Sequence, residues 1–229
     1  MARAGLVSRR EAEALIEKGL IKVNGKVVSE PFFKVNPEND LVEFNGKRIK
    51  IPEDWTYIIL NKPREVITTV RDELGRKTVM DFISCEEKGL VPVGRLDEES
   101  EGLILITNDG DLAHRLTHPS FEIEKEYEVT LPRSPGKELK KMEEGIRIGV
   151  DYLKASRVVF KKGNKVMVTL KEGKNREIRR MLGMLGYRAE RLKRVRIGNL
   201  RLTGLKTGEW RELKEKEVSK LKGIICGKD

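Results

Sequence analysis

Asp97 occupies a position from which a carboxylate could do chemistry, in the segment Gly94-Arg95-Leu96-Asp97-Glu98-Glu99-Ser100, directly ahead of the apolar run Leu103-Ile104-Leu105-Ile106. A tight connection into a buried strand is rigid, and such loops commonly carry functional side chains. Asp in a turn also commonly bonds its own backbone, so pattern alone leaves Asp97 open between the two roles. A second cluster lies in Asn175-Arg176-Glu177-Ile178-Arg179-Arg180-Met181-Leu182. If Ile178, Met181, Leu182 and Leu185 form the buried stripe of a helix, the 3.6-residue period sends Arg176, Arg179 and Arg180 to the other side. There they could grip phosphates, pair with a carboxylate, or form an exposed basic face.

Other reactive residue types form no comparable constellation. His114 and His118 flank a predicted helix end before Pro119 without a third ligand at metal spacing, and Cys85 and Cys226 are distant from each other and from both histidines. Neither a zinc cluster nor a disulfide framework is expected. The glycines at 102 and 110 lack the companions of a phosphate loop or dinucleotide fingerprint. No metal and no cofactor are therefore expected.

The elements that must position these residues fall into two groups. Ser8-Arg9-Arg10-Glu11 is a capping box, followed by Ala12, Leu15 and Ile16 at helical spacing and by Gly19 as a stop signal. Asn24-Gly25 and Asn45-Gly46 each sit between β-favouring runs, the strongest short-range signal for a hairpin. Residues 1–48 thus read as a small helix-and-hairpin unit, basic at Arg3, Arg9, Arg10, Lys18, Lys22 and Lys26, and the polar stretch 50–54 reads as a connector. From residue 55 to 229, strands are expected at 57–60, 66–70, 103–107, 127–131, 158–160 and 166–170, and helices at 110–116, 136–145 and 176–185. The absence of regular alternation argues for an α+β domain with a mixed, largely antiparallel sheet. The Lys/Glu-rich run 212–222 reads as a solvated helix or tail.

The chain has 229 residues, a formal net charge of +10 and 37% charged residues. A basic excess of that size favours a polyanionic partner, nucleic acid first, with a generally charge-rich surface as the alternative. Abundant Lys and Glu with no Gln at all also fits a heat-adapted protein. No apolar signal core and no stretch near about 18 apolar residues is found, so a soluble cytoplasmic protein with no membrane association is expected.

Several segments, in order, resemble the bacterial ribosomal pseudouridine synthases of the RsuA/RluB type. Gly94-Arg95-Leu96-Asp97 with Ser100-Glu101-Gly102-Leu103 and Thr107-Asn108-Asp109-Gly110 is similar to the family signature. Lys62-Pro63 is similar to its early N-K-P segment, Lys125-Glu126-Tyr127-Glu128-Val129 to its K-x-Y-x-V segment, and 172–181 to its arginine-rich segment. Ile197-Gly198 through Gly208-Glu209 resembles the family's C-terminal closure. Ala4 to Val28 resembles the RNA-binding module of the fourth small-subunit ribosomal protein. The chain departs from the pattern in Lys62-Pro63-Arg64-Glu65, which lacks the glycine often found after N-K-P.

The resemblance implies a small N-terminal RNA-binding module (1–48) followed by a pseudouridine synthase domain (55–229). It implies Asp97 as the essential carboxylate, Tyr127 lying against a flipped base, and Arg179 paired with Asp97 or with the neighbouring phosphate. Arg9, Arg10, Lys22, Lys26, Arg95, Arg176 and Arg180 are the expected RNA contacts. The partner would be ribosomal RNA or a ribosome assembly intermediate, with large-subunit RNA favoured by Leu116-Thr117-His118-Pro119 leading into Lys125-Glu126-Tyr127, and the enzyme would act as a monomer. Attack by Asp97 on the sugar, attack on the base, and removal of a sugar proton to give a glycal all remain open. A noncatalytic assembly factor that binds ribosomal RNA is the alternative reading.

Overall fold

The computed structural model describes residues 1, 4, 6–50, 54–84 and 89–226. Arg3, Cys85 and the connector residues 51–53 lie outside the described residues, as does the side chain of Cys226. Packing separates a unit that contains Met1–Thr56 from one that contains Tyr57–Ser84, Pro92–Ile106 and 111 onward.

In the first unit, Ser8 caps α1 (Arg9–Glu17) with the reciprocal Ser8 and Glu11 hydrogen bonds of a capping box. Strands β1 (Ile21–Val23) and β2 (Lys26–Val28) follow, then β3 (Val42–Phe44) and β4 (Lys47–Arg48), in the order β2-β1-β3-β4. Both Asn-Gly pairs take positive φ, Asn24 at 52° and Gly25 at 79°, Asn45 at 51° and Gly46 at 72°. That is the twist a two-residue hairpin needs.

The second unit is α+β and built on one large sheet. Its strands are β5 (Tyr57–Lys62), β6 (Val91–Val93), β7 (Glu101–Thr107), β8 (Lys125–Thr130), β11 (Arg157–Phe160), β12 (Lys165–Leu170), β13 (Arg191–Ile197), β14 (Leu200–Arg201) and β15 (Trp210–Glu212). A separate hairpin joins β9 (Ile146–Ile148) to β10 (Asp151–Leu153). The order is β11-β12-β8-β13-β7-β5-β15, with β14 beside β13 and β6 beside β7. The β11–β12, β12–β8, β8–β13, β13–β14 and β5–β15 pairs are antiparallel, and β13 with β7 is parallel. Helices α2 (Gly110–Thr117), α3 (Lys141–Glu144), α4 (Glu177–Met184) and α5 (Glu215–Cys226) complete it. Tyr127 and Val129 alternate onto one face of β8 and, with Leu131 just beyond its end, share a core with Val166 and Val168 of β12 and with Ile178, Met181 and Leu182 of α4.

Two expectations need correction, and one strand was not expected. Residues 66–70 form only an isolated parallel bridge, Ile67 to Thr78, and the Thr69 N–H turns back to the Ile67 carbonyl at 3.1 Å instead of extending it into a ladder. The run at 212–222 is not simply solvated: α5 buries Leu221 completely, and Leu221 and Ile224 pack near Gly198 and Ile123. Strand β13 was hidden by its charges, since a bulge between Arg194 and Arg196 breaks the alternation that would reveal it.

The parallel pair constrains the chain most tightly at Gly102, which lies opposite Arg194 with φ 108°. A Cβ there would sit 2.3 Å from the Arg194 carbonyl oxygen and 2.7 Å from its nitrogen. Neither backbone can retreat without breaking the β7 and β13 pairing. Gly102→Ala is therefore expected to destabilise the protein by about 3 kcal/mol or more, read as a lower urea midpoint at unchanged slope.

Candidate active site

Asp97 is held by its main chain. Lys62, at the end of β5, is fully buried, and its Nζ donates to the carbonyls of Pro63 (3.0 Å), Asp97 (3.2 Å), Glu98 (3.3 Å) and Ser100 (2.7 Å). An ammonium has three protons, so four acceptors saturate it. Burial pushes Lys62 down to about 8, against the upward pull of Asp97, Glu98 and Glu101. Thr68 accepts from the Leu96 N–H and donates to the Leu96 carbonyl, at 3.2 and 2.9 Å. The Glu65 N–H donates to the Glu98 carbonyl at 2.8 Å. Glu65 itself takes φ 61°.

Two arginines close the far side. Arg194 of β13 is 3% exposed; its Nε donates to the Leu103 carbonyl (2.7 Å) and its Nη1 to the Arg95 carbonyl (3.4 Å), while Nη2 is buried without a hydrogen-bond partner. Arg179 of α4 donates through Nη2 to the Glu99 carbonyl and the Ser100 hydroxyl, each at 3.4 Å, and through Nη1 to the Ala189 carbonyl at 3.3 Å. Its ion pair is with Glu99, Nε to Oε1 at 3.4 Å. Arg176 pairs with the same Glu99 carboxylate. Partial burial would raise the Glu99 carboxyl, but the Arg176 hydrogen bond and the charges of Arg179, Arg176 and Arg64 outweigh it and hold the group below its ordinary value.

The turn faces a cleft of about 450 Å³, within the range of roughly 300–1,000 Å³ usual for ligand sites. Asp97, Tyr127, Arg95 and Arg176 all line it, together with Lys125, Arg194 and Glu177. Tyr127 is 8% exposed. Arg179 lies behind the Asp97 turn, and Arg180 turns away to Asp151, Nη2 to Oδ2 at 2.8 Å. In the first unit Arg9, Arg10, Lys22 and Lys26 are all exposed. Lys22 pairs with Val27 and Lys26 with Val23, so the two lysines are on opposite faces of the hairpin.

Sequence reasoning missed the parts played by Lys62, Lys125 and Arg194. Lys62 had a legible sign, a lone cation at the end of the apolar run Tyr57-Ile58-Ile59-Leu60. Arg194 had none, because the bulge conceals which residues of β13 point inward.

A family model described as RNA pseudouridylate synthase matches residues 56–183, and one for the S4 domain matches 1–42. The chain belongs to the RNA pseudouridylate synthase family. A pseudouridine synthase of this kind is an isomerase acting on RNA. Among its relatives, the ribosomal large subunit pseudouridine synthase B of Bacillus subtilis is 41% identical, over 98% of this chain and 94% of the relative. The dual-specificity RNA pseudouridine synthase RluF of Escherichia coli is 37% identical, over 98% and 77%. A solved structure described as a pseudouridylate synthase superimposes with a TM-score of 0.70 at 30% identity, covering 94% of each chain. No helix among the described residues is long and apolar enough to cross a membrane.

The Lys62 contacts can be tested directly. Lys62→Met should strand the carbonyls of the Asp97 turn, lowering stability by about 2 kcal/mol or more. It should also slow pseudouridine formation at least about tenfold while leaving RNA affinity within about twofold. Urea melts and single-turnover rates on the same preparation check both.

Proposed function

We propose that this enzyme isomerises a uridine of large-subunit ribosomal RNA to pseudouridine, in the cytoplasm, with Asp97 as the catalytic carboxylate. The observation that carries this reading is that a turn held through its carbonyls and amides presents Asp97 to a cleft whose wall includes Tyr127. The reaction detaches uracil at N1, turns it and rejoins it through C5, so the carboxylate must stay fixed while the base moves. Rigid main-chain support leaves the Asp97 side chain available, and no described residue holds its carboxylate in a hydrogen bond or ion pair.

Ribosomal RNA as substrate is supported by the name and the near full-length match of the Bacillus relative. The large-subunit assignment draws on the same relative and on the segment 116–119, two of whose residues, Thr117 and Pro119, line the cleft. The proposed organisation is an RNA-binding module at 1–48 and a catalytic domain at 55–229. The base must leave its stack to enter the cleft, at a cost of a few kcal/mol that contact with the Tyr127 ring offsets in part. Arg9, Arg10, Lys22, Lys26, Arg95 and Arg176 then serve the phosphates. Arg179 supports the turn from behind, and Arg180 reaches RNA only by giving up Asp151.

Incubation of unmodified ribosomal RNA with wild type, followed by adduct mapping and primer extension, should give a new stop in large-subunit RNA. Asp97→Asn should abolish it, with a loss of at least about 10³-fold, while binding RNA as tightly as wild type. Tyr127→Phe should lose more turnover than binding. Tight binding without modification by any of the proteins would favour the noncatalytic assembly factor instead.

Affinity should also fall by about 10³-fold or more between roughly 50 and 200 mM salt, as expected if several phosphates are neutralised. Filter binding across that range tests it, and a flat profile would contradict a phosphate-based grip.

A further inference from the structure

The inference concerns a proton and rests on the reading of the cleft as the uridine site. However Asp97 opens the glycosidic bond, C5 of the ring becomes bonded to C1′ while still carrying its own hydrogen, with a double bond between N1 and C6. To finish, a base takes the C5 proton. The C5–H electron pair becomes the C5–C6 double bond, the N1–C6 π pair moves onto N1, and N1 accepts a proton. The net change is one proton moved from C5 to N1, so the step calls for a group able both to accept and to return a proton.

We propose that Lys125, on the cleft wall two residues from Tyr127, is the base that takes the C5 proton and supplies the proton gained at N1. The placement follows from β8. Residues two apart on a strand share a face, so Lys125 points to the side on which Tyr127 lines the cleft. The residues opposite it on the neighbouring strands are Leu170 and Ile197, both apolar and buried. No described residue holds its ammonium in a salt bridge.

The charges around it come from every wall. Arg194 stands on β13, Glu177 opens α4, Glu172, Lys174 and Arg176 line the approach to α4, Arg95 and Asp97 belong to the turn, and Tyr127 lies on β8 itself. Burial and then the Arg194 charge bring Lys125 down to about 8, with Glu177 pulling the other way. Near neutrality a usable fraction is therefore an amine, and the protonated form is acidic enough to pass its proton on. Glu177 is the neighbouring carboxylate, raised by burial but engaged by the Lys174 N–H at 3.0 Å.

The test uses full-length ribosomal RNA transcribed with ordinary or 5-deuterated UTP, with wild type, Lys125→Arg, Lys125→Met and Tyr127→Phe in single-turnover reactions. With its base in place, wild type should remove the C5 hydrogen quickly and show little isotope effect. Both Lys125 variants should slow by about 10²-fold or more and acquire a deuterium isotope effect that wild type lacks. The ratio of wild-type to Lys125→Arg rates should rise with pH through about 8, because arginine keeps its proton throughout. Slowing without an isotope effect would reduce Lys125 to a packing role and overturn the proposal. An isotope effect in Tyr127→Phe but not in the Lys125 variants would give the proton to the tyrosine and also overturn it. If wild type forms no pseudouridine on these transcripts, it is the reading of the cleft that fails, and the inference falls with it.

Discussion

One buried ammonium organises the turn that carries Asp97. A lysine at the end of an apolar strand would normally reach for water, and burying its charge is tolerable only where oxygen ligands replace the lost hydration. The carbonyls of Pro63, Asp97, Glu98 and Ser100 supply that shell to Lys62. The dependence is mutual. Carbonyls crowded into a tight turn repel one another, and the cation between them allows the turn to close. Asp97 is thus placed by contacts that leave its own carboxylate available.

The same logic extends across residues 95–103. Thr68 holds both polar groups of Leu96, Arg179 reaches the Glu99 carbonyl, and Arg194 bridges the carbonyls of Arg95 and Leu103. Glu99 gathers the charges of Arg176 and Arg179 beside the turn. The Arg176 side chain is 47% exposed, so an RNA phosphate can compete for it, whereas the Arg179 side chain is 11% exposed and committed to the turn. Two arginines of similar appearance in the sequence therefore have different work, and burial decides which.

Local signals were legible where local physics decides the structure. The capping box of α1 and both Asn-Gly hairpins formed as expected, because each is settled within a few residues. Asp97 was legible as a rigid carboxylate before an apolar strand, and only the run of matching segments lifted it above an ordinary turn residue. Long-range contacts were not legible. Nothing near Arg179 indicates that Glu99 will be its ion partner, and nothing near Lys62 names carbonyls more than 30 residues away as its ligands. Strand β13 escaped because four of its seven residues are basic and its bulge disrupts the period.

That concealed strand is also what joins the two halves of the cleft. β13 lies between β8, which carries Lys125 and Tyr127, and β7, which follows the Asp97 turn. Its register puts Arg194 opposite both Tyr127 and Gly102, so one residue joins the strand of Tyr127 to the strand that follows the Asp97 turn. The absence of a side chain at Gly102 permits that approach, and a glycine there is a condition of the site rather than a detail of the sheet. Arg194 Nη2 is buried on that seam without a hydrogen-bond partner. Its charge also lowers the basicity of Lys125, so the residue that fixes the turn tunes the opposite wall as well.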